Sequence, residues 1–374
     1  MAIIVKEATT RRDINKFIKF YIDLYRDNKQ IAFPMNADER KTLNPAKNPS
    51  HEGCMTRYIL AFDGKKVVGR VAAIISQKEH EKTGIKYGRI GWFDFVDSAE
   101  VSEALIEDAT KWFKKNGIEK IHGPLGFSDL DREGALIEGF EEKTTMATSY
   151  NYPYYHTHFT NLGFEKSVDW LEFEIQIGQT KTETFEQLAD RALKMTKCKV
   201  IKPKSRKELI SYAPEIFRLL DECYADLYGT VKLSDEQVEY FTKAYMGFLN
   251  LDLVSLVSDE HDKLIAFGIT MPSFTEALQK TKGRLLPFGF IHMLKALKKN
   301  DTLDLYLVAI DEKYQGKGVN AIMMNDILKG AKKLGITKAE TNLELEYNNK
   351  VQNMWKMLPH RQHKRRRCYI KELS

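Results

Sequence analysis

The chain has 374 residues, of which 43% are hydrophobic and 29% charged, and a formal net charge of +6. That length suits two domains of roughly 170 to 200 residues rather than one core, and the composition excludes a disordered chain. No apolar run approaches the roughly 20 residues of a membrane helix, and Cys54, Cys198, Cys223 and Cys368 form no CxxC pair, which speaks against a zinc site or a disulfide framework.

In chain order, the first residues carry a short apolar patch and then mixed charge rather than a secretory signal, so a cytoplasmic protein is expected. A short strand near Ile3 to Val5 precedes helices, and Arg57 to Ser76 reads as strand, Asp-Gly turn, strand. From Gly88 an apolar strand passes through a polar loop into a helix with Val101, Leu105, Ala109, Trp112 and Phe113 on one face. Gly117-Ile118 closes that helix, and a strand follows. The charged turn Ser128 to Gly134 and the tyrosine-rich Tyr150 to Tyr155 come next, then a helix to Phe164 and a strand from Val168 to Ile175. Acids and tyrosines clustered after an apolar strand suit a polar amine ligand, which singles out Asp131, Glu133, Asn151, Tyr154 and Tyr155. A helix cap beside a surface turn accounts for them equally well.

The same order then repeats. Lys199 to Ile201 is a short strand, and Leu253 to Pro272 is strand, turn, strand. From Leu303 to Leu343 a strand, a loop, an amphipathic helix bearing Val319, Ile322, Met323, Ile327 and Leu334, and a Gly335-Ile336 closure match the earlier copy. A helix from Asn349 to Leu358 and a strand from Lys364 to Ile370 end it. The repeat divides the chain into residues 1–177, a polar helical linker at 178–197, and residues 198–374. The fold class expected is α/β (α+β in the wider sense), with a mixed sheet in each half. Ser273 to Asn300 interrupts the second copy and is too apolar for a free loop; packing between domains is expected, with the roof of an acyl-chain pocket as the alternative.

The copies differ at one functional place. The first is about four residues shorter between strand and helix, with only Asp97-Ser98-Ala99-Glu100 there. The second has Gln315-Gly316-Lys317-Gly318-Val319-Asn320. A strand ending in such a loop gathers unpaired backbone N–H groups at a positive helix end, which suits a pyrophosphate. Glycine supplies the turn dihedrals and leaves no Cβ in a ligand's way. Lys317 is a candidate for a further phosphate contact. The basic run His360 to Lys371 suits RNA, an anionic carrier or coenzyme phosphates, but an edge strand kept soluble by its charge is the simpler expectation. With only Tyr369 nearby, nucleic-acid binding is not expected.

Leu307 to Ile310 followed by Tyr314-Gln315-Gly316-Lys317-Gly318 resembles the coenzyme A motif of the GNAT acyltransferase superfamily. The whole chain resembles a poorly characterised bacterial family of tandem GNAT-type proteins, on segments such as Asn44-Pro45-Ala46-Lys47-Asn48-Pro49, Gly123-Pro124-Leu125-Gly126-Phe127-Ser128 and Gly283-Arg284-Leu285-Leu286-Pro287-Phe288-Gly289. The resemblance implies tandem GNAT-like domains and transfer of an acyl group from acetyl-CoA or another acyl-CoA to a small-molecule or peptide amine, with a homodimer as one assembly. It implies that a backbone amide of Val308, Ala309 or Ile310 receives the developing oxyanion. Two departures stand out: Asn320 replaces the usual Gly or Ala, and Trp355 (Phe159 in the first copy) stands where a tyrosine usually protonates the thiolate. A base is also needed, and Glu340, Glu344 and Glu346 are candidates, placed with Asn342 on one face by strand alternation; Tyr347 is the nearest alternative acid. The other readings are a non-catalytic acyl-CoA or acyl-carrier binding protein, and a relative of the tRNA-dependent aminoacyl transferases.

Overall fold

A computed structural model describes residues 3–373. It contains fourteen strands: β1 (Ile4–Glu7), β2 (Cys54–Asp63), β3 (Lys66–Ser76), β4 (Tyr87–Phe95), β5 (Lys120–Gly123), β6 (Ala135–Glu138), β7 (Glu165–Ile175), β8 (Lys199–Ile201), β9 (Val254–Ser258), β10 (Leu264–Pro272), β11 (Thr302–Ile310), β12 (Lys338–Thr341), β13 (Glu344–Leu345) and β14 (His360–Glu372). The fold is a mixed α/β sheet in the order β1-β2-β3-β4-β5-β14-β7-β12-β11-β10-β9-β8, with β6 and β13 paired off that path.

The repeat seen in the sequence is a repeat in space. β1 to β5 run inward from one edge and β8 to β12 from the other, with β4–β5 and β11–β12 as the parallel pairs. Helix Ala99–Lys115 covers the first half and helix Val319–Lys333 the second, each sealing its own apolar cluster. Both helices end in the same way. Ile118 N–H donates to Phe113 O and Ile336 N–H to Ala331 O, around Gly117 and Gly335 at φ 71° and 72°. These are Schellman closures, which need a left-handed residue that glycine adopts without a Cβ penalty.

The centre of the sheet departs from expectation. β14, at the end of the second repeat, lies between β5 and β7 of the first, and β7 in turn lies beside β12. The basic run is therefore an interior strand and not a solvated edge. Lys364 and Arg366 are fully buried on one face, and both reach Glu172, at 3.0 and 2.7 Å. Arg365 and Arg367 point the other way and share the carboxylate of Asp169, at 3.2 and 2.7 Å. Burial alone would raise the Glu172 pKa, but the charges of Lys364 and Arg366 outweigh it and bring it down to about 2.

The expected linker is partly a packed element. Helix Thr182–Thr196 buries Phe185, Ala189 and Ala192 in the second repeat's core. The insertion after β10 forms helices Thr275–Thr281 and Gly289–Lys298. One side packs through Phe274, Leu278 and Met293 against Ala32 and Met35 of the first half; the other side is left open. No helix among the described residues is long and apolar enough to cross a membrane.

Glu172→Gln removes the one carboxylate shared by two buried cations, and uncompensated buried charge is expected to cost about 3–5 kcal/mol. Urea denaturation should show that loss. Glu174→Gln, whose partner Arg361 is half exposed, should stay within about 1 kcal/mol of the parent. Because the folded-state pKa of Glu172 lies below the free value, its contribution is complete above about pH 4.5 and fades as pH falls towards 2, and that part of the acid transition should disappear in Glu172→Gln.

Candidate active site

β11 and β12 pair only from Thr302↔Lys338 to Leu305↔Thr341, and then they part. A register shift where β11 meets Ile269 and Thr270 of β10 leaves Tyr306 unmatched. Beyond it, Asp311 N–H donates to Ile265 O at 2.8 Å. Such bonds recur at every second residue of an antiparallel ladder, so Leu307 and Ala309 face β10. Val308 and Ile310 face the gap, where Val308 O accepts from the Tyr224 hydroxyl at 3.1 Å and Ile310 O from Gln315 Nε2 at 2.9 Å. Their amide hydrogens point the same way. Ala309 is thereby excluded as a donor into the gap, and Val308 and Ile310 remain.

The loop after β11 is open for an anion. Gly316 and Gly318 sit at φ 73° and 85°, and a Cβ on Gly318 would come within 2.9 Å of Ala192. Lys317 N–H turns back to Tyr314 O, and Ala321 N–H to Gly318 O. Among the described residues no protein acceptor meets the amides of Gly316, Gly318, Val319 and Asn320, and no side chain caps the helix that begins at Val319. Four free N–H groups at a helix N-terminus suit a phosphate or pyrophosphate oxygen set. Lys317 and Asn320 are exposed beside them, whereas the Val319 side chain is buried.

The expected acids separate. The strand breaks between Thr341 and Glu344, so the alternation predicted for Glu340, Asn342, Glu344 and Glu346 is lost. Glu340 turns to Lys364 at 3.2 Å, and Glu346 is held by Lys166 and by Asp169 N–H. The Tyr347 side chain is largely exposed. None of these three lines the cavity; Glu344 does. Its Oε1 accepts from Trp355 Nε1 at 2.6 Å, and its buried Oε2 has no partner. Burial pushes its pKa up to about 8, the bond from Trp355 opposing that only in part.

The cavity has a volume of about 1770 Å³ and is walled by both repeats. From the first come Arg70, Trp92, Asp131, Glu133, Asn151 and Tyr155. Asp131 holds the Phe127 and Ser128 amides, at 2.8 and 3.2 Å, and burial raises its pKa to about 6. Asn151 clamps the backbone of Leu136, at 2.6 and 3.0 Å. Glu133 is buried with Oε1 unpartnered, and burial raises its pKa well above the carboxylate range. Tyr154 is not a cavity residue: its hydroxyl donates to Phe95 O at 2.5 Å. That bond belongs to a filled gap. β4 and β5 also part, beyond Arg89, but there Phe95 N–H meets the Tyr155 hydroxyl, which bonds Tyr25 and Asp94.

Sequence reading missed Tyr224, whose hydroxyl reaches into the β11–β12 gap and whose pKa burial raises. It also missed the Trp355–Glu344 bond. Nothing local signals either, because both depend on where a helix crosses the sheet. Cys223 likewise sits at the gap, its Sγ 3.4 Å from Ile310 O, with burial raising its pKa to about 11.

Residues 214–358 match the model of the acetyltransferase (GNAT) family. Over 378 residues the chain is 25% identical to Protein YghO of Escherichia coli strain K12, covering 99% of this chain and 95% of that one. It is 22% identical over 375 residues to the bacterial ceramide synthase of Caulobacter vibrioides, covering 97% and 96%. Among solved structures, a tandem GNAT protein from the clavulanic acid biosynthesis pathway, without AcCoA, superposes with a TM-score of 0.58 at 10% identity, covering 99% of this chain and 98% of that chain. The parted strands and the glycine loop both lie inside the segment that matches the acetyltransferase (GNAT) family, and the likeness to the tandem GNAT structure is one of fold.

Proposed function

We propose that the protein is an acyl-CoA-dependent N-acyltransferase of tandem GNAT architecture, in which the second repeat holds coenzyme A and both repeats wall the acceptor site. The observation that carries this is the continuity of unpaired backbone N–H groups at Gly316, Gly318, Val319 and Asn320 with a strand gap that opens on the cavity. Bound there, an acyl-CoA supplies an activated thioester. The loop amides and Lys317 hold its phosphates. Val308 or Ile310 N–H takes the negative charge that develops on the carbonyl oxygen. Glu344, once ionised, accepts the proton of the attacking amine, and the burial that pushes its pKa up to about 8 makes it a stronger base than a solvated carboxylate. Tyr224, kept protonated by burial with its hydroxyl in the gap, takes the place of the tyrosine absent at Trp355.

The acceptor we infer is an amine with a long apolar part. The cavity exceeds the roughly 300–1,000 Å³ of ordinary small-molecule sites, and Phe217, Leu249, Leu305, Leu307, Met324 and Ile327 line it. The name of the Caulobacter relative points to the same class of acceptor. A non-catalytic acyl-CoA binder is the second reading, favoured by the bond that ties Glu344 to Trp355. Thiol release from acetyl-CoA and from a long-chain acyl-CoA, across amines from short polar ones to long-chain amino alcohols, separates the two: turnover with a long-chain amine is expected, and binding of acyl-CoA without thiol release with any amine would leave only the binder.

Gly318→Ala should strain the left-handed position by about 1–2 kcal/mol, lower the thermal midpoint by a few degrees, and weaken acyl-CoA binding about tenfold by titration calorimetry. Undiminished affinity would remove the loop from the coenzyme site.

Glu344→Gln should lower the rate of thiol release by about 10²–10⁴-fold and abolish the rise in kcat/KM through about pH 8. Stability gives an independent check. The folded-state pKa lies above the free value, so native Glu344 retains its proton where the unfolded chain has lost it. Stability therefore falls as pH rises from about 4.5 to about 8, and Glu344→Gln should remove that slope.

A further inference from the structure

Five of the eleven exposed large apolar side chains among the described residues cluster in one segment. Leu286, Phe288, Phe290, Ile291 and Leu294 are 79%, 71%, 44%, 39% and 50% exposed, and all lie within the insertion between β10 and β11. Leu286 and Phe288 form the turn before helix Gly289–Lys298, and Phe290, Ile291 and Leu294 make a stripe along its outer side. The inner side is anchored by Met293, so this apolar surface is held out on a fixed element.

Charge surrounds the stripe in a particular way. From Lys280 to Asn300 the chain has Lys280, Lys282, Arg284, Lys295, Lys298 and Lys299 and no aspartate or glutamate. Those six positive charges equal the formal net charge of the whole protein. Lys282 donates to Arg26 O; among the described residues none of the six forms an ion pair, although paired acids and bases are common elsewhere on this surface. Lys295 and Lys298 each follow a stripe residue by one turn, Ile291 and Leu294, so the cations border the apolar face at its C-terminal end. An apolar stripe edged by unpaired lysines is the pattern of a helix lying in a lipid interface, where apolar side chains enter the acyl boundary and cations meet anionic headgroups. Leu285, next to the turn, lines the cavity.

We propose that the segment from Lys280 to Lys299 docks the protein on the surface of an anionic phospholipid bilayer, with Leu286, Phe288, Phe290, Ile291 and Leu294 inserted and the six cations against headgroup phosphates. The cavity then opens beside the bilayer, and an amphiphile could pass between them without crossing water. The docking itself does not depend on the acyl-transfer reading and is measured without turnover.

The test is co-sedimentation of the full-length protein with vesicles of phosphatidylcholine alone and of phosphatidylcholine with phosphatidylglycerol. Binding is expected to the mixed vesicles, weakening with added salt. Lys295→Gln/Lys298→Gln/Lys299→Gln should lower the partition coefficient about a hundredfold, at about fivefold per charge. Leu286→Ser/Phe288→Ser should lower it by a similar order while leaving the thermal midpoint unchanged, since both side chains already face solvent. Equal partitioning of parent and variants would overturn the proposal. So would vesicle-independent dimerisation abolished by Leu286→Ser/Phe288→Ser, which would make a second copy the occupant, or capture by an acidic acyl carrier protein with no vesicle binding.

Discussion

Two buried cations on one strand fix how this chain is assembled. Lys364 and Arg366 can be fully buried only where a carboxylate is waiting, and Glu172 on β7 is paired directly opposite Lys364. Unpaired, either charge would cost several kcal/mol in the sheet interior. The pairing also sets register: a slip of β14 by one residue would turn both cations to the face of Asp169 and send Arg365 and Arg367 inward. Since β7 closes the first repeat and β14 the second, the same contact that satisfies the charges exchanges the closing strands. Neither repeat then completes its sheet alone, and one cavity is left between them.

That shared cavity explains why two halves of one design differ. Both have a strand pair that parts, β4 from β5 and β11 from β12. In the first, Tyr154 and Tyr155 satisfy the backbone of Phe95 and fill the opening with aromatic rings. A filled gap has no use for an anion cradle, and the loop there, Asp97 to Glu100, carries acids and no glycine. In the second, the gap stays open and its loop keeps four unpaired amides. The first repeat contributes wall instead, including Glu133 with an unpartnered carboxylate oxygen.

What could be read from the sequence was local in origin. The helix closures at Gly117 and Gly335 and the open loop at Gly316 and Gly318 follow from dihedral preferences, which a short segment carries by itself. The repeat followed because it was sought over the whole chain. The errors were all of one kind. The charge of His360 to Lys371 read as solvated because its counter-charges lie on a strand almost two hundred residues earlier. Glu340 and Glu344 read as neighbours on one face because the break at Asn342 and Leu343 leaves no mark in alternation. Tyr224 could not be found at all, since its role depends on which gap helix Ala213–Tyr224 happens to cross.

Glu344 shows what the cavity does to a single group. In water it would be ionised at neutral pH, but with a pKa of about 4.3 it would be too weak a base to take a proton from an ammonium. The apolar walls raise its pKa to about 8, and Trp355 holds one oxygen while the other is left bare. On the acyl-transfer reading, an incoming amine arrives as an ammonium, and its charge beside Glu344 lowers the carboxyl pKa and drives off the proton to bulk solvent. What results is an ion pair in an apolar setting, where desolvation disfavours both charges and favours the neutral acid with the neutral, nucleophilic amine. A long apolar tail that expels the remaining water strengthens that preference. The feature that would make an acceptor bind is then also the one that would make it reactive, which is a reason for a wide apolar cavity to surround a carboxylate at all.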